Sequence, residues 1–125
     1  MAKYLRAINR TRGTVLCARL EDAGGLAGQS RGLLGRDSLA PDEGMLFEAG
    51  RLAPFMWMHM FFMRFAIDIV FLDRRGVVIK IDSALKPWRI SSIVLGARRA
   101  LELPAGTAGR TSTVAGDQIV FEDRQ

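Results

Sequence analysis

The chain of 125 residues carries one cysteine, Cys17, and one histidine, His59. A lone cysteine excludes an intramolecular disulfide and any zinc site built on a cysteine cluster. With one histidine, further metal ligands would have to be carboxylates, and these show no paired spacing, so neither a metal site nor a cofactor is expected. No GxGxxG follows a strand, and P-loop, GxSxG and HExxH patterns are missing. Gly24-Gly25 and Gly106 to Gly109 read as turns rather than phosphate cradles. No repeat, low-complexity tract or linker divides the chain, so one domain over 1–125 is expected.

A dense basic tract is also missing. Net charge is +5 and the pI near 10.3, but only Arg74-Arg75 and Arg98-Arg99 stand as adjacent pairs. Dispersed cations indicate solvated faces before a dedicated polyanion site. The opening MAKYLRAINRTRG has charges without a following apolar run, so a signal peptide is not expected and cytoplasmic residence is the working assumption.

What is present is an apolar stretch, Pro54 to Asp73 (PFMWMHMFFMRFAIDIVFLD). His59, Arg64 and Asp68 interrupt it, and charge at mid-bilayer is costly, so no membrane span is expected. Ile67, Ile69, Val70, Phe71 and Leu72 favour a strand; Asp73-Arg74-Arg75-Gly76 makes a turn; Val77, Val78, Ile79 and Ile81 return. The reading is a hairpin, 67–73 and 77–82. Before it, a sulfur- and aromatic-rich strand runs from Phe55 to about Phe62, with a bend at Met63 to Ala66. Alternation puts Asp68 on the face of Val70 and Leu72. If this region is buried, Arg64 and Asp68 need partners, each other among the choices. His59, amid tryptophan and methionine, reads first as a hydrogen-bonded core residue.

Elsewhere, Tyr4 to Ile8 and Thr14 to Leu20 read as strands joined by the turn Asn9 to Gly13. Cys17 sits in an apolar run, where a small buried thiol is the default. Leu26 to Leu34 fits about two helical turns ended by Gly35. Gly44 to Glu48 and Ala97 to Leu103 read as strands, the latter stopped by Pro104. Ile90 to Leu95 fits loop or edge strand, and 105–109 has room for one or two helical turns. Gln118 to Glu122 is a closing strand. Short strands punctuated by glycine and proline predict a mainly β fold, a compact and mostly antiparallel sandwich or barrel with one or two short helices.

The blocks RGLLGR (31–36), GMLF (44–47), HMFFMRFAID (59–68), VFLD (70–73), LKPWR (85–89), LELPAG (101–106) and GD (116–117) resemble the DUF192 family, also called UPF0127. The resemblance covers about Leu16 to Val120, in order and with similar spacing. Met60 stands where the family commonly has threonine, and Ala66 where it has proline, which loosens the bend before Ile67. The resemblance implies a jelly-roll-like β domain and brings no activity, substrate or cofactor. Its recurrent polar positions fall on Arg31, Arg36, His59, Arg64, Asp68, Glu102 and Asp117. Asp68 and Glu102 are expected as structural partners of arginines such as Arg64.

Three functions compete. The leading one is a non-enzymatic module binding a small anionic or amphipathic ligand, with a methionine- and aromatic-lined mouth. Its ligand-binding candidates are Arg36, Trp57, His59, Met63, Arg64 and Trp88. An enzyme would use His59 as acid or base with Asp68 or Glu102 orienting it, although no separate nucleophile is evident. A basic interaction or nucleic-acid-binding protein would use Lys86, Trp88 and Arg89 together with Arg74-Arg75, and requires that they share one face.

Overall fold

The computed structural model describes residues 3–24, 33 and 36–123. Nine strands are described: β1 (Tyr4–Asn9), β2 (Thr14–Gly24), β3 (Glu43–Glu48), β4 (Phe55–Met56), β5 (Ile67–Leu72), β6 (Val78–Leu85), β7 (Val94–Leu95), β8 (Arg99–Pro104) and β9 (Ile119–Asp123). One short helix, α1 (Thr107–Arg110), follows β8. The helix expected over 26–34 and the family position Arg31 lie outside the described residues, Leu33 apart.

Seven strands form one sheet in the order β6-β5-β8-β3-β2-β1-β9, and β4 pairs with β7 in a small second sheet. Pairing is antiparallel except between β2 and β3, which run parallel. The large sheet curls until its two outer edges touch at one end. Val77 bridges Gln118, the Val78 N–H donates to the Asp117 carbonyl, and the Ile119 N–H donates to the Gly76 carbonyl, both at 2.9 Å. The result is a half-barrel, mainly β with a minor helix, in line with the short-strand pattern.

The curl explains why β5 is apolar at almost every position rather than alternating. All six of its residues are buried. Ile67, Ile69 and Phe71 pack with Met45, Phe47, Met56, Met58 and Met60 on one face. Val70 and Leu72 pack with Leu5, Leu16, Leu20, Leu101 and Leu103 on the other, inside the curl. A sheet covered on both faces needs apolar side chains at both parities.

The hairpin of β5 and β6 forms as its residues predict. Asp73 Oδ1 accepts from the Arg75 and Val77 N–H groups at 2.8 and 3.0 Å, the local bonding that makes aspartate a turn former. The strand expected from Phe55 to Phe62 is shorter. Ladder pairing covers Phe55–Met56, with a lone bridge between His59 and Ile90. Side chains nevertheless alternate through Phe61: Met56, Met58 and Met60 are buried, whereas Phe55, Trp57, His59 and Phe61 face outward. Phe62 then adopts φ 65°, a left-handed conformation that ends the extended run.

Closure places one glycine under strict demand. Gly76 has φ +81°, and a Cβ there would lie 2.6 Å from the Ile119 carbonyl oxygen. Gly76→Ala is expected to destabilise the protein by about 1–3 kcal/mol through left-handed strain and loss of the seam. Chemical denaturation of the two forms measures the difference.

Candidate functional site

The alternating segment 55–60 and the returning segment 88–96 form a ribbon laid over one face of the large sheet. Its irregular parts are held by specific bonds. The Met60 N–H donates to the Arg89 carbonyl at 2.7 Å, and the Ser91 N–H to the Met58 carbonyl at 2.8 Å. The Met58 N–H donates to Ser91 Oγ at 2.7 Å. The loop before β4 is fastened by Arg98, whose guanidinium donates to the carbonyls of Ala53, Gly50 and Arg51 at 2.7, 3.0 and 3.4 Å. Sequence reading did not single out Arg98, because a cation that bonds carbonyls leaves no complementary charge to find.

Between ribbon, loop and sheet lies a cavity of about 330 Å³, a size in the range of small-molecule sites. Met56, Met58, Met63 and Leu33 line it with buried apolar groups; Ala49, Gly50 and Ala53 contribute small ones; Phe55, Trp57 and His59 line it from the exposed row. The one acidic residue in this lining is Glu102, on β8. Register explains its place. Glu102 stands between Met45 on β3 and Ile69 on β5, and shares the face of Ala100, the same face the ribbon covers.

Glu102 is buried and makes no hydrogen bond or ion pair with a described residue. Burial alone therefore pushes its carboxyl up to about 8, because removal from water penalises the charged form. No arginine among the described residues pairs with it. None pairs with Asp68 either: its oxygens accept from the backbone N–H groups of Ala84 at 2.8 Å and Ala108 at 2.9 Å. Arg64 instead pairs with Asp37 at 2.8 Å, on the surface. The physical reason is directional. Asp68 points inside the curl, where backbone amides of β6 and α1 reach it, while Arg64 lies in the exposed bend before β5.

The sequence-named candidates thus divide. Trp57, His59 and Met63 line the cavity with Glu102. Arg36 does not, and bonds Glu43 at 3.2 Å. Trp88 lies outside the lining as well, exposed and packed on Phe62 with ring centroids 4.8 Å apart. His59 Nδ1 accepts from the Phe61 N–H at 3.3 Å, which puts the proton of the neutral ring on Nε2. No carboxylate bonds His59 among the described residues. Asp117 is structural. Burial works to raise its pKa, but hydrogen bonds from Asn9, Arg12 and the Val114 N–H outweigh that and hold it below the usual range. Arg74-Arg75 and Lys86–Arg89 sit at opposite ends of β6, separated by about 25 Å at the usual rise per residue. Cys17 is buried, forms no disulfide, and its thiol donates to the Asp42 carbonyl at 3.3 Å. No group of three or more metal-ligating side chains is gathered among the described residues. No helix among them is long and apolar enough to cross a membrane.

A β half-barrel carrying one apolar pocket on its ribbon-covered face defines the class. The family model of DUF192, described as an uncharacterized ACR, matches residues 7–121, and the chain belongs to that family. It is 30% identical to a UPF0127 protein of Thermococcus sibiricus, over 92% of this chain and 73% of that one. A crystal structure from Sinorhizobium meliloti 1021, described as that of a candidate transcription regulator, is 27% identical with a TM-score of 0.80, covering 97% of this chain and 94% of that one. A protein of unknown function from Novosphingobium aromaticivorans superposes with a TM-score of 0.79 at 24% identity, covering 95% of this chain and 84% of that one, and shares the fold.

The raised carboxyl makes stability depend on pH in a definite direction. The folded chain keeps the Glu102 proton up to about pH 8, whereas an unfolded chain releases it near 4.5. The native state therefore binds the extra proton, and stability falls as pH rises through that window, by on the order of a few kcal/mol. Thermal unfolding between pH 5 and pH 9 is expected to show this decline (taking about 4.5 to 8 as the interval set by the two pKa values). Glu102→Gln should flatten it and raise the melting temperature at the alkaline end.

Proposed function

We propose that this chain is a non-enzymatic module that binds a small, mostly apolar ligand in the ribbon-covered pocket, with Glu102 as its polar anchor. The observation that carries this reading is the carboxyl of a buried glutamate that bonds no described residue and faces a cavity walled by methionine and aromatic groups. The carboxyl opens onto the cavity, and a ligand atom that accepts from the neutral acid supplies the hydrogen bond that no described residue makes. Methionine walls adapt to ligands of differing outline. Arg36 and Arg64 do not line the pocket and are engaged by Glu43 and Asp37. The ligand is therefore amphipathic and uncharged near Glu102 rather than anionic. Binding is favoured over acid–base chemistry because, among the described residues, no carboxylate bonds His59 and the lining holds no serine, threonine or cysteine nucleophile.

Thermal-shift screening of small apolar carbonyl, amide and ether compounds at pH 6.5 tests the reading. A true ligand at a hundredfold excess over Kd stabilises the fold by about 2.7 kcal/mol. The gain should vanish in Met58→Trp, which fills the cavity, shrink in Glu102→Leu, and weaken above pH 8 as the carboxyl ionises. A ligand that binds better above pH 8 would instead be an amine. If no compound stabilises the wild type, or Met58→Trp retains full stabilisation, the pocket is not a ligand site.

A further inference from the structure

We propose that the outer face of the β4–β7 ribbon, with its two flanking turns, is an interfacial surface that docks on anionic lipid headgroups. This goes beyond the pocket reading and stands without it.

The first observation is apolar exposure concentrated on one face. The outward row of the ribbon is Phe55, Trp57, His59 and Phe61. Across the pairing, Leu95 faces Phe55 and Ile90 faces His59. At one end Trp88 packs against Phe61 and Phe62, extending the row into the turn. Leu52, Phe62, Ile93 and Leu95 are 65% to 91% exposed. Scattered exposed apolar residues need no explanation, but a contiguous face of them marks an interaction site.

The second observation is charge. The segments 49–67 and 83–101, which build this layer, carry Arg51, Arg64, Lys86, Arg89, Arg98 and Arg99 and no aspartate or glutamate. Three of these cations are occupied: Arg64 by Asp37, Arg99 by Glu48 and Arg98 by loop carbonyls. Arg51, Lys86 and Arg89 make no ion pair with a described residue. Arg51 adjoins Leu52 at one end of the ribbon; Lys86 and Arg89 flank Trp88 at the other.

Together these select the occupant. A second copy docking face to face would set Arg51, Lys86 and Arg89 against the same cations, while the neighbouring carboxylates of Asp37, Glu48 and Asp82 are already engaged by Arg64, Arg99 and Ser92. Single-stranded nucleic acid would use the tryptophans by stacking but leave Leu52, Ile90, Ile93 and Leu95 without a role. A lipid surface uses every part. Aliphatic groups enter the acyl boundary, tryptophans sit at headgroup depth, and the free cations meet anionic phosphates.

The test uses the full chain with phosphatidylcholine vesicles, with and without phosphatidylglycerol. Trp57 and Trp88 are the chain's two tryptophans and both lie in this layer, so intrinsic fluorescence reads the contact directly. Co-sedimentation is expected with the anionic vesicles and not the neutral ones, with blue-shifted tryptophan emission and loss at high salt. Lys86→Glu/Arg89→Glu and, separately, Trp88→Ala should each weaken binding by about tenfold or more. These positions are exposed, and unchanged thermal unfolding confirms that the variants fold. Arg74→Glu/Arg75→Glu, at the far end of β6, makes the same change in net charge and should leave binding intact. The proposal is overturned if anionic vesicles are not bound, or if the Arg74/Arg75 variant loses binding equally. It is overturned equally if a single-stranded oligonucleotide competes the vesicles away or if the face buries itself in a dimer without lipid.

Discussion

The structure depends on burying both faces of its central strands. β5, β8 and β3 sit in the middle of the large sheet, and each carries apolar side chains at both parities. One face is satisfied by the sheet itself, which curls until β6 and β9 meet. The other needs a separate cover, and the chain supplies it with the methionines of the ribbon. Burying roughly five to six methionine and aliphatic side chains on this second face is worth several kcal/mol even at conservative area coefficients. The cover is not continuous, and where it leaves the sheet open the pocket appears.

That origin accounts for the pocket's chemistry. Its walls are ordinary core residues seen from an unfilled side, which is why they are methionine-rich and nearly without charge. Glu102 is the exception, a carboxyl on a central strand at a position whose neighbours in register are apolar. The same ribbon presents the opposite parity outward, so Phe55, Trp57 and His59 border the pocket and also belong to the exposed face. Cavity and surface are two sides of one short alternating segment.

Much of this was legible in the chain. The hairpin over 67–82 announced itself through β-branched residues and an Asp-initiated turn, and the family blocks identified the fold. Trp57 and His59 line the cavity from one parity of FMWMHMF, and Met63 reaches it from beyond the bend at Phe62. Pairings between distant segments were not legible. Arg64 and Asp68 were candidates for each other among other choices, but the bend between them turns one outward and the other inside the curl. For Glu102 the family resemblance implies an arginine partner, and no described residue supplies one. Position 102 shares its face with Ala100, and its neighbours in register, Met45 and Ile69, bear no cation. Reading that required strand order, which the sequence does not print.

The pairing of β1 with β9 sets Leu5 opposite Asp123 in register, so the sheet's last interface joins residues from opposite ends of the chain. Such separation carries a large loop-closure entropy before any contact rewards it, and domains rich in non-local pairings fold slowly. During synthesis the half-barrel has to wait for its final strand, and until then β1 and the Gly76 turn present unpaired backbone to the surroundings. This interval is when the chain is most exposed to misassociation.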